Sequence, residues 1–449
     1  MAVEGPNASS NADGYFKEIY ADNLENLVPE HSVIAQAIPF KEQEKLGDSY
    51  HMPVRVKRSQ GVTFAGSGTG YTAFNLNDAI SGVMKDTSIS GSTYVGRETI
   101  AYKAVISATS KGKQAFGNIF DESVKDVLET ASFYRELALL YGGGSIGEFS
   151  MGGTGLLEKD MTLTAASSSI GIWAQMEGGF IDVWNKGADG LPSTTMRNFI
   201  SGTAETIEVT KASVASATGI VTLSLKASST TAMDLIENGD LIVPRGAKVR
   251  DGTGVAGDGA NEWFTGLEGI LKNSGTFAGV SATTYPLWRA NEVDVGGSAK
   301  LTMSKVQEAA ALIVPRGGLG DLKLYVSVDT WRTLNDDIVA LREFNEAGGV
   351  AELGARSLRY YGPNGTIDVV THPMLKGGIA MLGDPKNAKR LGATDITFSL
   401  PSVSGQAPKF LRELSDKAGM EFRVLWDQCL LLPRPAAWCY IKGINNYAS

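Results

Sequence analysis

The stretch FDESVKDVLETASFYRELALLYGGG, residues 120–144, constrains the fold more than any other part of the chain. Val124, Val127, Leu128, Ala131, Tyr134, Leu137, Ala138 and Tyr141 recur at steps of three and four, which puts them on one face of an α-helix. Asp121 is a good N-cap, because its carboxylate accepts from backbone N–H groups that a first turn leaves unpaired. Gly142, Gly143 and Gly144 end the helix. From 121 to 141 the helix is roughly 30 Å long at ~1.5 Å per residue.

Ahead of this helix the pattern changes to period two. Tyr50, Met52, Val54 and Val56 alternate with His51, Pro53, Arg55 and Lys57, and Ile100, Tyr102, Ala104, Ile106 and Ala108 alternate in the same way. Each run predicts a strand with one apolar face. Between them lie about forty residues rich in Gly, Ser and Thr, including GVTFAGSGTGYTAF. A loop that long in a compact domain has a function or is disordered. Two readings stand open: an extended hairpin whose Phe64, Tyr71 and Phe74 grip a neighbour near its apex, or a loose surface insertion. Residues 1–45 begin polar and then carry scattered apolar side chains (Tyr15, Phe16, Ile19, Tyr20, Leu24, Leu27, Val28), which reads as an arm with a short helix.

After the helix, residues 155–262 are β-rich, with short alternating runs at 206–209 and 220–225 that predict a small β-subdomain over 200–262. The hexapeptide LIVPRG occurs twice, at 241–246 and 312–317, without similarity on either side. The first copy follows the turn signal Asn238-Gly239 and reads as a strand. The second ends a helix whose Ser304 and Gln307 fit a capping box and whose Val306, Ala309, Ala310 and Ile313 share a face. Pro315 stops that helix, and Gly317-Gly318 provide the exit. The repeat is therefore punctuation. Further on, 322–328 reads as a strand. Asp329 caps a helix with the stripe Trp331, Leu334, Ile338 and Leu341, ended by Gly348-Gly349. Residues 367–370 and 379–382 read as strands, as do FRVLW and CLLL, and the segment AAWCYI closes the chain.

Charge and composition exclude several functions. With 41 Lys+Arg against 49 Asp+Glu the net charge is −8. No basic run stands out beyond Arg55, Lys57 and Arg58, so sequence-specific nucleic-acid recognition lacks the positive cluster it needs. A mildly acidic chain still sits beside packed nucleic acid without adhering. Two cysteines, Cys429 and Cys439, read as reduced, partly buried thiols. They and His31, His51 and His372 have no metal-like spacing, so neither a metal nor a cofactor is expected. The N-terminus lacks the pattern of a signal peptide, and no apolar stretch is long enough to span a membrane.

Catalytic motifs match only in letters. Gly143–Gly147 fits G-x-S-x-G, yet a nucleophile elbow needs a strand before Ser145 and a helix after it, the reverse of the order here; His372 is the one base downstream. Residues 252–257 fit G-x-G-x-x-G but lead into DGANEWF rather than a helix. Asp251, Asp258 and Glu262 lack the spacing of a calcium loop. Asp336, Asp337 and Glu343 read as solvated surface, and Trp263, Trp288, Trp331 and Trp438 as core or interface. No acid, base and nucleophile come together, which favours a structural protein.

Taken in order, these pieces resemble the major capsid protein of tailed bacteriophages, the Hong Kong 97-type fold. The resemblance rests on GLEGILKNSGTFAGVSATTYPLWRANEV, KLYVSVDTWRTLNDD, IDVVTHPMLKGGIAMLGDP and FRVLWDQCLLLPRPAAWCYI, and on the order of elements across nearly the whole chain. It implies an α+β fold with an N-terminal arm over 1–45, an extended loop over 46–115, a peripheral domain over 116–199 with its spine helix at 121–141, and the inserted β-subdomain over 200–262. An axial domain would follow over 263–395, and the chain would return to the peripheral domain over 396–449. It further implies a subunit that self-assembles into hexamers and pentamers of an icosahedral head in the host cytoplasm. That head would enclose double-stranded DNA without sequence specificity, and would need a separate scaffolding protein, a portal and in some cases a decoration protein. Self-association would run through Arg55, Lys57, Arg58, Phe64, Tyr71 and Phe74. Rival readings are an encapsulin-type compartment shell, told apart by an enzyme cargo; a β-rich surface or binding protein, which the missing export signal opposes; and a hydrolase built on Ser145.

Overall fold

The structure, a computed structural model, describes residues 32–42, 49–64, 74–101, 113–200, 203–248, 261–341, 359–363, 365–398, 411–414 and 419–448. Its first described elements are a short helix α1 (Val33–Ala37) and a strand β1 (Phe40–Glu42). A hairpin follows, β2 (Tyr50–Lys57) against β3 (Val83–Ile89), and then β4 (Ser92–Ala101). The second strand of this region lies at 92–101, ahead of the 100–108 alternation; residues 102–112 fall outside the described part. Ile100 and Ala101, the start of the expected run, belong to β4, which matches a later strand over ten residues, from Ser92↔Gln428 to Ala101↔Gly419.

The long helix α2 spans Lys113–Tyr141, 29 residues and about 43 Å. It starts eight residues before Asp121, which lies inside it and is not its cap. Val127, Ala131, Leu137, Ala138 and Tyr141 of the expected face are buried. From Leu137 to Tyr141 every side chain is 1% exposed or less, so the helix ends inside the core rather than on it. Its exit needs glycine: a Cβ on Gly142 would stand 2.0 Å from the Phe264 carbonyl oxygen, and Gly143 has φ +72°.

Next comes a seven-stranded sheet from β5 (Gly147–Glu148), β6 (Glu158–Thr162), β7 (Phe180–Lys186), β8 (Pro192–Met196), β9 (Ile207–Val214), β10 (Val221–Ala227) and β11 (Leu241–Pro244). Its order is β5-β11-β7-β9-β10-β6, with β8 also on β7. The unit expected over 200–262 is therefore half of a sheet that begins near residue 147. The reason is pairing: β10, whose Val221, Leu223, Leu225 and Ala227 are buried, is hydrogen-bonded along one edge to β9 and along the other to β6, so residues 158–162 belong to the same sheet. The first LIVPRG is strand β11, as expected.

Helix α3 (Leu267–Lys272) leads to strand β12 (Asn291–Ala299), helix α4 (Met303–Ile313), strand β13 (Leu322–Val326) and helix α5 (Val328–Leu341). In α4, Val306, Ala309, Ala310 and Ile313 are buried as read, but Thr302 is the N-cap residue and no side chain bonds the cap, so the box at Ser304 is not formed. Gly317, at φ +101°, makes the exit after Pro315. In α5 the capping bond comes from Ser327 Oγ, which accepts from Thr330 N at 3.2 Å; Asp329 sits in the first turn. Leu334 is buried, while Gly348-Gly349 lie outside the described residues.

The chain closes with β14 (Arg359–Gly362), β15 (Gly365–Thr371), β16 (Ile379–Gly383), β17 (Lys389–Thr397), β18 (Leu411–Glu413), β19 (Gly419–Leu431) and β20 (Cys439–Ile444). FRVLW and CLLL belong to the single strand β19, because Asp427 and Gln428 between them are buried and the ladder runs straight through. One sheet runs β12-β20-β16-β13-β15-β14, and α4 and α5 pack on it through Leu324, Val326, Ala380, Leu382 and Ile441. The other runs β1-β17-β19-β18 with β4 on the far side of β19. The fold is α+β. Cys429 and Cys439 form no disulfide, and both are fully buried. No helix of the described residues is long and apolar enough to cross a membrane.

Candidate assembly surface

The hairpin is rooted and then leaves the body. On its inner face Tyr50, Val54, Val56, Thr87 and Ile89 are buried, with Val54 and Val56 packed on Val280, Ala282 and Trp288. Lys57 places its ammonium 5.8 Å from the Tyr285 ring centre, the last hold on the root. Between Val56 and Thr87 no described residue is buried. Pairing continues all the same: Gln60 and Ile80 exchange backbone hydrogen bonds at 2.9 and 2.7 Å, and Asn77 Nδ2 donates to Val62 O at 2.9 Å. The chain thus holds an ordered two-stranded ribbon away from its core.

That ribbon carries apolar side chains in water. Phe64 is 90% exposed and Leu76 77%, with Val62, Phe74, Ile80 and Met84 also exposed. Each such group covered by a partner gains about 1.5–3 kcal/mol. Arg55, Lys57 and Arg58 stand exposed on the same ribbon. Tyr71 lies outside the described residues. Phe64 and Phe74 thus lie on the same ribbon as the basic trio.

The other candidates resolve into structure. Ser145 follows the end of α2, and its carbonyl accepts from Lys376 Nζ at 2.7 Å. His372 is wholly buried against Glu136, Nε2 to Oε1 at 2.7 Å, so it does not serve Ser145. Residues 252–257, Asp251 and Asp258 lie outside the described part, and Glu262 is exposed. Trp263, Trp288 and Trp438 are core. No group of three metal-ligating side chains occurs among the described residues.

Two buried polar nodes hold the ribbon's platform together, and sequence reasoning missed both. Glu136 of α2 accepts from Ile34 N at 2.5 Å, Ala35 N at 2.9 Å and His372 Nε2. It caps α1 from 101 residues away. Glu268 of α3 takes Lys376 Nζ at 2.9 Å, Lys272 Nζ at 2.5 Å and the Tyr440 hydroxyl at 3.2 Å. Burial pushes the Glu268 carboxyl up, but the two ammonium groups outweigh it and hold it at about 2. A third feature is on the surface: Ser49 Oγ, His51 and Asp86 form a hydrogen-bonded chain at the hairpin root.

No protein-family model matches the sequence, and no curated protein matches it. Among solved structures, a chain of the cyanophage A-1(L) capsid asymmetric unit aligns with a TM-score of 0.54 and 13% identity, over 98% of this chain and 99% of that one. The capsid of a native GTA particle aligns at 0.44 and 11%, over 97% and 98%, and that of Mycobacterium phage Bobi at 0.43 and 11%, over 97% and 98%. At such identity the likeness is one of fold, and it extends from end to end of the cyanophage chain.

Proposed function

We propose that this chain is the structural subunit of an icosahedral phage head, a major capsid protein of the Hong Kong 97 type. One observation carries the reading. The chain shares its whole fold with a cyanophage capsid subunit and extends an ordered ribbon whose apolar side chains find no cover in its own body. A subunit that works alone gains nothing from exposing Phe64 and Leu76; one that closes a shell gains from every copy.

In this reading the ribbon, described over 58–64 and 74–82, lies on a neighbour, and Arg55, Lys57 and Arg58 contribute rim contacts beside the apolar ones. Residues 32–42, bolted to α2 by Glu136, are the inner end of the arm. The sheet containing β19 belongs to the peripheral domain with α2, and the sheet containing β13 and β16 to the axial domain. The sheet from β5 to β11 is the family's inserted β-unit. Hexamers and pentamers form in the host cytoplasm with a scaffolding protein and a portal, a decoration protein is accommodated, and the mildly acidic chain encloses DNA without reading it. No catalytic step is assigned to shell formation.

The test is negative-stain electron microscopy of the purified chain, expressed alone and with its neighbouring genes. Closed shells or six-fold rings are expected. A strictly monomeric protein under both conditions overturns the proposal.

A further inference from the structure

We propose that Ser49, His51 and Asp86 form a nucleophilic relay, and that the chain transfers the acyl group of small activated esters through Ser49. The proposal stands apart from shell formation and does not depend on it.

The hairpin places the three groups together. Ser49 sits in the bend just before β2, half-buried, and His51 is exposed on that strand while Tyr50 between them is buried; the bend turns the Ser49 hydroxyl to the His51 ring. In the register, His51 pairs with Ser88 and Pro53 with Asp86. Asp86 therefore lies on the diagonal from His51, on the same outward face and within reach of its ring. The distances are 2.6 Å from His51 Nδ1 to Asp86 Oδ2 and 2.9 Å from His51 Nε2 to Ser49 Oγ.

The order of partners fixes the chemistry. An ionised Asp86 only accepts, so Nδ1 carries the proton and donates it. That leaves Nε2 as the unprotonated acceptor facing the serine hydroxyl. Nucleophile within reach of base, and base oriented by a third group, is the arrangement that activates a serine. Ser49 and His51 are the catalytic residues; Asp86 is a positioning residue.

The step balances as a hydrolysis. Ser49 Oγ attacks the ester carbonyl carbon as its proton passes to His51 Nε2. The C–O bond to the leaving group breaks with its electron pair, and the leaving group takes the proton from His51. Water then attacks the acyl-serine by the same route in reverse, releasing the acid and restoring Ser49. His51 and Asp86 are 54% and 59% exposed, so solvent supplies the donors to the developing oxyanion. Preorganised donors contribute most in a water-excluded site. The substrate class is therefore aryl esters, whose phenolate leaves easily, and not peptides; a fluorophosphonate reports the same nucleophile, because the Ser49 Oγ–P bond forms as the P–F bond breaks, fluoride departs and the hydroxyl proton passes to His51 Nε2.

The experiment treats the intact full-length chain with a fluorophosphonate probe and maps the adduct by mass spectrometry, with nitrophenyl acetate hydrolysis in parallel. Labelling at Ser49 is expected, absent in S49A, and at least about 100-fold slower in H51A and D86N, the scale of one general-base contribution. D86N preserves shape and exposure, so a merely structural Asp86 leaves the rate unchanged. S88A, on the same face, is expected to label like the parent. Labelling of D86N at the parent rate, labelling as fast in urea-unfolded chain, or no adduct at Ser49 each overturns the proposal.

Discussion

Replacing Glu136 by Gln tests the internal frame with one atom changed. The carboxylate meets three donors: Oε1 takes Ile34 N and His372 Nε2, and Oε2 takes Ala35 N. Glutamine keeps one acceptor oxygen and gains an NH2 group. With the oxygen at the Oε1 position, the amide opposes Ala35 N–H. With it at Oε2, the amide opposes both Ile34 N–H and the imidazole. His372 cannot adapt by changing tautomer, because its Nδ1 accepts from Met374 N at 3.1 Å. Both side chains are 0% exposed, so no water relieves the conflict. The variant loses a hydrogen bond to a charged group, about 1.5–3 kcal/mol, and buries an unpaired donor, about 1–3 kcal/mol. The expected cost is about 4 kcal/mol, equivalent to roughly 10³-fold in a local opening equilibrium. Amide hydrogen exchange over residues 32–38 of the unassembled chain is the assay, and it should accelerate by about that factor. A change below about tenfold would refute the claim that Glu136 caps α1 and holds it to α2.

Three further outcomes are expected. F64S with L76S should leave the unfolding midpoint of the unassembled chain within about 0.5 kcal/mol, as befits exposed side chains, yet abolish stable shells in sedimentation; normal shells would remove the ribbon from the account. Glu98 is pushed up to about 7 by burial and by Asp126. A carboxyl raised in the folded state costs stability once ionised there, so the penalty is present above about pH 7 and gone below 4.5, its ordinary value. E98Q should stabilise by about 1 kcal/mol at pH 8, after discounting for solvent screening, and by nothing at pH 4, read by urea unfolding at the two pH values. G383A should cost at least about 3 kcal/mol or prevent soluble expression, because the new Cβ would stand 2.1 Å from Trp438 Cδ2, in a ring with no exposure; a stable, soluble variant would contradict the packing described for β16 against Trp438.

Periodic burial was legible in the sequence, and contacts across long separations were not. The stripe in α2 and the alternation in β2 are local consequences of one face meeting the core, and both appear at the expected residues. Local end signals misled where they competed. Asp121 is a good cap and Gly117 a poor helix former, but the helix runs through both. Asp427 and Gln428 looked like a break between two strands. They are buried, with Gln428 Nε2 donating to Asp395 Oδ1 at 2.5 Å, so the polar pair is part of the interior of β19. The β-unit was placed too late because strand partners at 158–162 and 180–186 leave no mark on the residues they cover. At the surface, Phe64, Phe74 and the basic trio were visible as side chains without a core role. The Ser49–His51–Asp86 relay was not, since only the register of β2 against β3 brings Asp86 to the ring. Glu136 and His372, 236 residues apart, had no signal at all.

The most direct measurement of the central claim is a near-atomic cryo-electron microscopy reconstruction of particles formed by this chain. A closed icosahedral shell is expected, with residues 58–64 and 74–82 of each subunit lying on a neighbour and Phe64 and Leu76 buried in that contact. Particles in which the ribbon stands free in solvent, or a chain that never closes into a shell, would contradict it.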